Sequence, residues 1–142
     1  MSPTPLTYAE IKIGDAASLS LIADDETVNH YARLTGDSNP VHLDEDYAAR
    51  SFFKRRVAHG LLAAGLISAV LGTRLPGPGA VYLRQELDFK SPVFIGDTIT
   101  AQVQVLEKID RQEKIKLRTR VHNQDGRLVL DGSALVLFRP AG

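Results

Sequence analysis

The sequence contains no cysteine. It can therefore form no disulfide framework, thiolate metal site or cysteine nucleophile, a pattern that suits a reducing cytoplasm. It has no excess of charge, because lysine plus arginine equals aspartate plus glutamate at 17 each. No overall field draws such a chain toward nucleic acid or an acidic membrane surface, so binding depends on local sites. Five phenylalanines and four tyrosines are its only aromatic residues. That is too few for a platform on which bases stack, and a nucleic-acid module is disfavoured. The most apolar segment, Leu61 to Leu71, is well short of the ~20 residues that span a bilayer and is interrupted by Ser68. It reads as a buried helix, and no membrane partner is expected. Met1 to Gly14 has no basic region followed by an apolar stretch, so no secretory leader is expected and a cytoplasmic location is.

What is present fits one domain over residues 1–142, since 44% apolar residues in a chain of this length supply one core and not two. A short strand over Ser18 to Ile22 is expected, then a helix opened by Asp24, Asp25 and Glu26. That helix turns Val28, Tyr31, Ala32 and Leu34 to the core and stops at Gly36. Thr35 to His42 reads as a loop, and Asp44 as the cap of a short helix running through Tyr47 to Arg50. The run from Leu61 to about Leu71 is apolar on every face, which predicts a central, fully wrapped helix ended by Pro76 to Gly79.

From Val81 the hydrophobic period changes to two. Val81, Leu83, Gln85, Leu87 and Phe89 share one face, expected to be core. Ile99, Ala101, Val103 and Val105 repeat the pattern, as do Ile115, Leu117, Thr119 and Val121 opposite a solvated basic face of Lys114, Lys116, Arg118 and Arg120. A last strand covers Leu128 to Phe138. Short connections imply antiparallel pairing. The whole is an α+β layout of four or five strands curled around one long helix.

Asp37 and His42 bracket Ser38, Asn39, Pro40 and Val41 in the segment between two helices, where a scaffold displays reactive groups. A carboxylate and an imidazole that converge on one water can hold it, take its proton and return a proton to the substrate. The same residues also fit a structural role, with Asp37 capping the Ser38 to Pro40 turn and His42 packed in the core. Gly60, preceded by His59, stands at the start of the central helix, where an unpaired amide aided by the helix dipole can polarise a carbonyl. It fits tight packing equally well.

Ser68 is the only hydroxyl within the apolar run. It can face a cavity or bond its own helix carbonyl, and it lacks the glycine elbow of a serine nucleophile. His30 and His122 read as surface or packing residues. No two histidines have the spacing of a helical zinc site, so no metal is expected. Lys54, Arg55 and Arg56, or Lys90, are candidates for contacts to phosphate groups.

Tyr31-Ala32-Arg33-Leu34-Thr35-Gly36-Asp37-Ser38-Asn39-Pro40-Val41-His42, with Ala48 six residues on, resembles the signature of the MaoC-like (R)-specific enoyl-CoA hydratases. Ala58-His59-Gly60-Leu61-Leu62, Leu75-Pro76-Gly77-Pro78-Gly79 and Phe89-Lys90-Ser91-Pro92-Val93-Phe94-Ile95-Gly96-Asp97 are similar to further segments of that family, so the likeness runs over about residues 18 to 138. The resemblance implies a hot-dog fold, a homodimer with two sheets joined edge to edge, and a tunnel for an acyl chain.

It also implies residue roles. Asp37 and His42 bind and activate water, the Gly60 amide binds the thioester oxygen, Ser68 matches a polar residue near the site, and Asn39 supports the loop. The implied reaction is hydration of trans-2-enoyl-CoA to (R)-3-hydroxyacyl-CoA, reversible, with no cofactor beyond the coenzyme A of the substrate. The product could enter polyester synthesis such as polyhydroxyalkanoate, fatty-acid oxidation or a branched-acid route.

Rival enzymes of the same fold class are acyl thioesterases and acyl-carrier-protein dehydratases. Both resemblances call for a carboxylate on the central helix, and Leu61 to Leu75 has none. A non-catalytic acyl-thioester-binding subunit is a further alternative, but it has little reason to keep an acid buried beside a histidine.

Overall fold

Period-two alternation gives way to pairing wherever a strand has a buried face to protect, and five strands do so here. The computed structural model describes residues 6–142; Met1 to Pro5, the start of the stretch read as leaderless, lie outside the described residues. Strand β1 (Ala16–Ile22) is followed by helices α1 (Asp25–Thr35), α2 (Pro40–Leu43), α3 (Glu45–Ala49) and α4 (Gly60–Thr73), then by β2 (Ala80–Phe89), β3 (Thr98–Ile109), β4 (Lys114–His122) and β5 (Leu128–Phe138). The sheet runs β1-β3-β4-β5-β2, with antiparallel neighbours throughout. It wraps α4, which packs against β1, β2, β3 and β4. This is the hot-dog arrangement. Among the described residues no helix is long and apolar enough to cross a membrane.

The core lies between α4 and the concave face of the sheet. Ile67 and Val70 of α4 meet a layer that includes Ile99, Val103, Leu117 and Phe138, all without measurable exposure. Burying side chains of this size stabilises the fold by roughly 1.5–3 kcal/mol each. The opposite face of β4 carries Lys116 and Arg118 to solvent, as the alternation requires.

Four expectations are corrected. Leu34 is 77% exposed, not core, because α1 buries only the narrow stripe of Val28 and Ala32. The segment Thr35 to His42 is not all loop, since Pro40 to Leu43 form one helical turn; Pro40 takes its first position, where a missing N–H costs nothing. Helix α4 is not fully wrapped. Leu61, Gly65 and Ser68, which share one side at helical spacing, are exposed.

The fourth correction concerns β2. Val81, Leu83 and Phe89 are 47%, 45% and 58% exposed, because β2 is an edge strand with a register shift between Tyr82 and Arg84 that breaks the alternation. The open stripe of α4 and the edge β2 together line a shallow apolar groove containing Leu61, Gly65, Leu83 and Leu87.

Candidate active site

Local chain signals set the loop that carries Asp37 and Asn39. Asp24 accepts from the Thr27 amide at 2.8 Å and starts α1. Gly36 ends that helix in the left-handed region at φ 79°, a conformation that glycine adopts without strain. The chain then reverses. The Asp37 amide donates to Thr35 Oγ1 at 3.2 Å, and Asp37 Oδ1 accepts from the Asn39 amide at 3.3 Å. Asn39 Oδ1 accepts from the Val41 amide at 3.2 Å and caps α2. The turn-forming role weighed for Asp37 is thus present, and it occupies one carboxylate oxygen.

Helix α2 carries His42, half-buried, with Nδ1 2.7 Å from the Val57 carbonyl oxygen. A carbonyl only accepts, so Nδ1 bears the hydrogen and Nε2 keeps its lone pair. Burial pushes the His42 pKa below its ordinary value of 6.5 and the field of His59 adds to this, against the Val57 bond and the Asp37 charge, which raise it. The ring is therefore neutral at neutral pH. Arg56 fixes the other side of this residue: its Nε donates to the His42 carbonyl at 2.7 Å and its guanidinium pairs with Asp25 at 2.6 Å. Its side chain is only 11% exposed. Arg56 is thus withdrawn from the set expected to meet phosphates, and Arg55 lies over the Phe94 ring at 3.5 Å.

His59 was not among the expected site residues, yet it is the most buried polar residue of the site, 3% exposed. It lies 3.8 Å from the His42 ring, centroid to centroid, with an interplanar angle of 31°. Its Nε2 is 2.9 Å from the Asp37 carbonyl oxygen. One ligating atom from each of Asp37, His42 and His59 lies within 4.8 Å of the others. The signal in the sequence is a histidine directly before the glycine that opens the central helix. The structure shows no side-chain cap at that position.

Gly60 is the first residue of α4, and with no side-chain cap its end of the helix presents free amides. A Cβ at Gly60 would lie 2.7 Å from the Phe89 ring, the end of an exposed side chain, so the packing role weighed for this glycine is a contact that Phe89 can relieve by moving. His42, Asn39, Gly60, Phe89 and Lys90 share a cavity of about 460 Å³. Asp37 is not among the residues lining it and is exposed, which corrects the expectation of a buried acid: in the single chain nothing covers the loop after Gly36. Ser68 is not among the residues lining the cavity; it lies two turns along α4, on its open face.

Residues 4–126 match the sequence profile described as MaoC like domain. The chain is 46% identical over 135 residues to an (R)-specific enoyl-CoA hydratase of Rhodospirillum rubrum, covering 95% of this chain and 93% of that one. It is 47% identical over 131 residues to a 3-hydroxybutyryl-CoA dehydratase of Methylorubrum extorquens, covering 92% and 83%. A solved structure of an (R)-hydratase from Aeromonas caviae, described as involved in PHA biosynthesis, superposes with a TM-score of 0.88 at 41% identity and covers 92% of this chain and 98% of that one.

Proposed function

This chain belongs to the MaoC-like domain family, and from that premise we propose that it is a hydro-lyase, an (R)-specific enoyl-CoA hydratase adding water reversibly to trans-2-enoyl-CoA. The observation that carries the reading is the convergence of Asp37 and His42, whose ring shares a cavity with Gly60 and has its tautomer set by Val57. One ligating atom of Asp37 lies within 4.8 Å of one of His42, and a single water bridges spans of up to about 5.6 Å at hydrogen-bond lengths of about 2.8 Å.

The water donates to the free Asp37 oxygen and to His42 Nε2. As its oxygen bonds to the β carbon, the pair takes its proton, and the electron pair of the double bond moves through the α carbon onto the thioester oxygen. The Gly60 amide, at the positive end of α4, donates to that oxygen while the negative charge develops. The proton then returns to the α carbon. Hydroxyl and hydrogen have been added, and the same groups serve the reverse dehydration.

No cofactor is called on beyond the coenzyme A of the substrate. The Asp37, His42 and His59 cluster is taken as a water site: His42 Nδ1 and His59 Nε2 each face a carbonyl oxygen, which leaves each imidazole one nitrogen. Lys90, exposed at the cavity, is the favoured phosphate contact. Asn39 supports the loop through its cap on α2.

The same reading makes the protein a homodimer joined through the β2 edges. It would cover the open stripe of α4, and Ser68 could approach a substrate only in that assembly. A cytoplasmic location and a product that feeds polyhydroxyalkanoate synthesis, in line with the A. caviae hydratase, complete the proposal.

Purified protein is tested by the loss of enoyl absorbance from crotonyl-CoA and from a longer enoyl-CoA, with the handedness of the product assayed. Formation of the (R)-3-hydroxyacyl-CoA is the expected result. Release of free coenzyme A, which marks a thioesterase, or binding without reaction contradicts the reading.

A further inference from the structure

The proposed chemistry leaves one buried titratable group unused. His59 makes no covalent step and lines no part of the cavity, yet it touches both members of the catalytic pair. Its Nε2 faces the Asp37 carbonyl at 2.9 Å, and that oxygen, which only accepts, requires the hydrogen on Nε2. The ring face lies against His42 at 3.8 Å, and Tyr31 of α1 stands beside it at 4.6 Å. The other nitrogen, Nδ1, is buried without a partner. An orphaned nitrogen is unfavourable in a core position that phenylalanine would otherwise fill, so the Nε2 donor is what distinguishes histidine here. The next residue in the chain is Gly60, the first of α4.

We infer that His59 is the positioning residue of this site: from the start of α4 it holds the Asp37 backbone through Nε2 and the His42 imidazole through its ring face, and so fixes the spacing of the two to each other and to the Gly60 amide. The inference rests on the hydratase reading for its effect on turnover, and on the geometry alone for its effect on His42. An error of about 1 Å in the placement of reacting groups lowers a rate on the order of 10²-fold. Losing the Asp37 anchor leaves the Asp37 backbone held through turn contacts with its own neighbours.

Two substitutions separate the contacts. His59→Phe keeps an aromatic face against His42 and removes the donor to Asp37. His59→Gln places an amide nitrogen where Nε2 stood and removes the ring. The expected result is a fall in kcat on the order of 10²-fold in His59→Phe with KM nearly unchanged, and partial rescue in His59→Gln. A structural role alone predicts losses that follow thermal stability in both variants.

A second readout does not depend on turnover. His42 faces Asp37 from the loop, His59 from α4 and the Arg56 guanidinium at its own carbonyl, and it shares its cavity with Lys90. Removing the ring in His59→Gln uncovers His42 and takes away a neighbour that opposes its protonation, so its imidazole titration followed by ¹⁵N NMR moves to higher pH.

Wild-type kcat in both folded variants overturns the inference, as do losses that merely track melting temperature. If the wild type itself turns over no enoyl-CoA while binding it, the hydratase reading fails. The spectra still decide the positioning role, and an unmoved His42 titration in His59→Gln overturns it.

Discussion

The Nδ1 of His42 stands 2.7 Å from the carbonyl oxygen of Val57, and this one contact determines which ring nitrogen is free to meet a water. The geometry needs the neutral ring with its Nε2 lone pair. Burial, first, and the neighbouring His59 lower the His42 pKa from 6.5. The active neutral form therefore persists to lower pH than for an ordinary histidine, and the acid limb of kcat/KM falls below pH 6.5. A limb above that value contradicts the assignment. Stability has the same sign: as pH falls from 6.5 the unfolded chain takes up this proton first, so His42 lowers stability until the pH has passed its folded-state value.

Gly60→Pro separates the amide from the helix it opens. Proline is tolerated at the first helical position, and His59 before it already has φ −61° and ψ 134°, the extended region that a residue before proline prefers. The new ring displaces Phe89, whose side is 58% exposed and free to move. A folded variant with kcat lowered by about 10²–10³-fold is expected, the cost of one lost oxyanion donor. Circular dichroism and steady-state kinetics on the same sample test this.

Arg56→Met removes a charge-assisted bond to the His42 carbonyl while leaving Asp25, 62% exposed, in water. A destabilisation of about 1.5–3 kcal/mol in urea unfolding is expected. Asp25→Asn should cost well under that, since an exposed partner contributes little. Equal losses would show that the ion pair, and not the carbonyl bond, is the important contact.

The apolar edge gives a separate test. Leu61, Val81, Leu83 and Phe89 leave their surfaces in water in a single chain, and the proposed edge-to-edge dimer would cover them. The wild type should sediment as a dimer, and Leu83→Lys, which puts a charge on the β2 edge, should shift it toward monomer. A wild-type monomer contradicts the edge-to-edge assembly.

Much of this was legible in the residues. Strands β3 and β4 each pack against neighbours on both sides, so their period-two pattern maps directly onto burial over Ile99 to Val105 and Ile115 to Val121. In β2 the same pattern misleads, because Val81 and Leu83 sit on an edge strand at a register shift, where alternation describes a face that a single chain does not bury. Leu34 fails for a different reason: two residues past Ala32, on a helix of 3.6 residues per turn, it faces away from the stripe of Val28 and Ala32 that α1 buries.

The loop from Gly36 to His42 is local, and its turn and cap residues, Asp37, Asn39 and Pro40, are visible as such. Its fastening is not local. Val57, Arg56 and His59 lie 15, 14 and 22 positions from the atoms they hold, and spacing within the motif carries no trace of them. The basic run at Lys54 to Arg56 suggested a phosphate contact because charge is visible in sequence, whereas the burial of Arg56 is not.

The most direct test is Asp37→Asn assayed on crotonyl-CoA beside the wild type, with thioester affinity measured separately. Asparagine keeps an oxygen to accept the Asn39 amide, so the turn and the fold should survive. The account predicts unchanged affinity and a kcat lowered by about 10²–10⁴-fold, as for the loss of a general base. Turnover at the wild-type rate would contradict it and remove Asp37 from the chemistry.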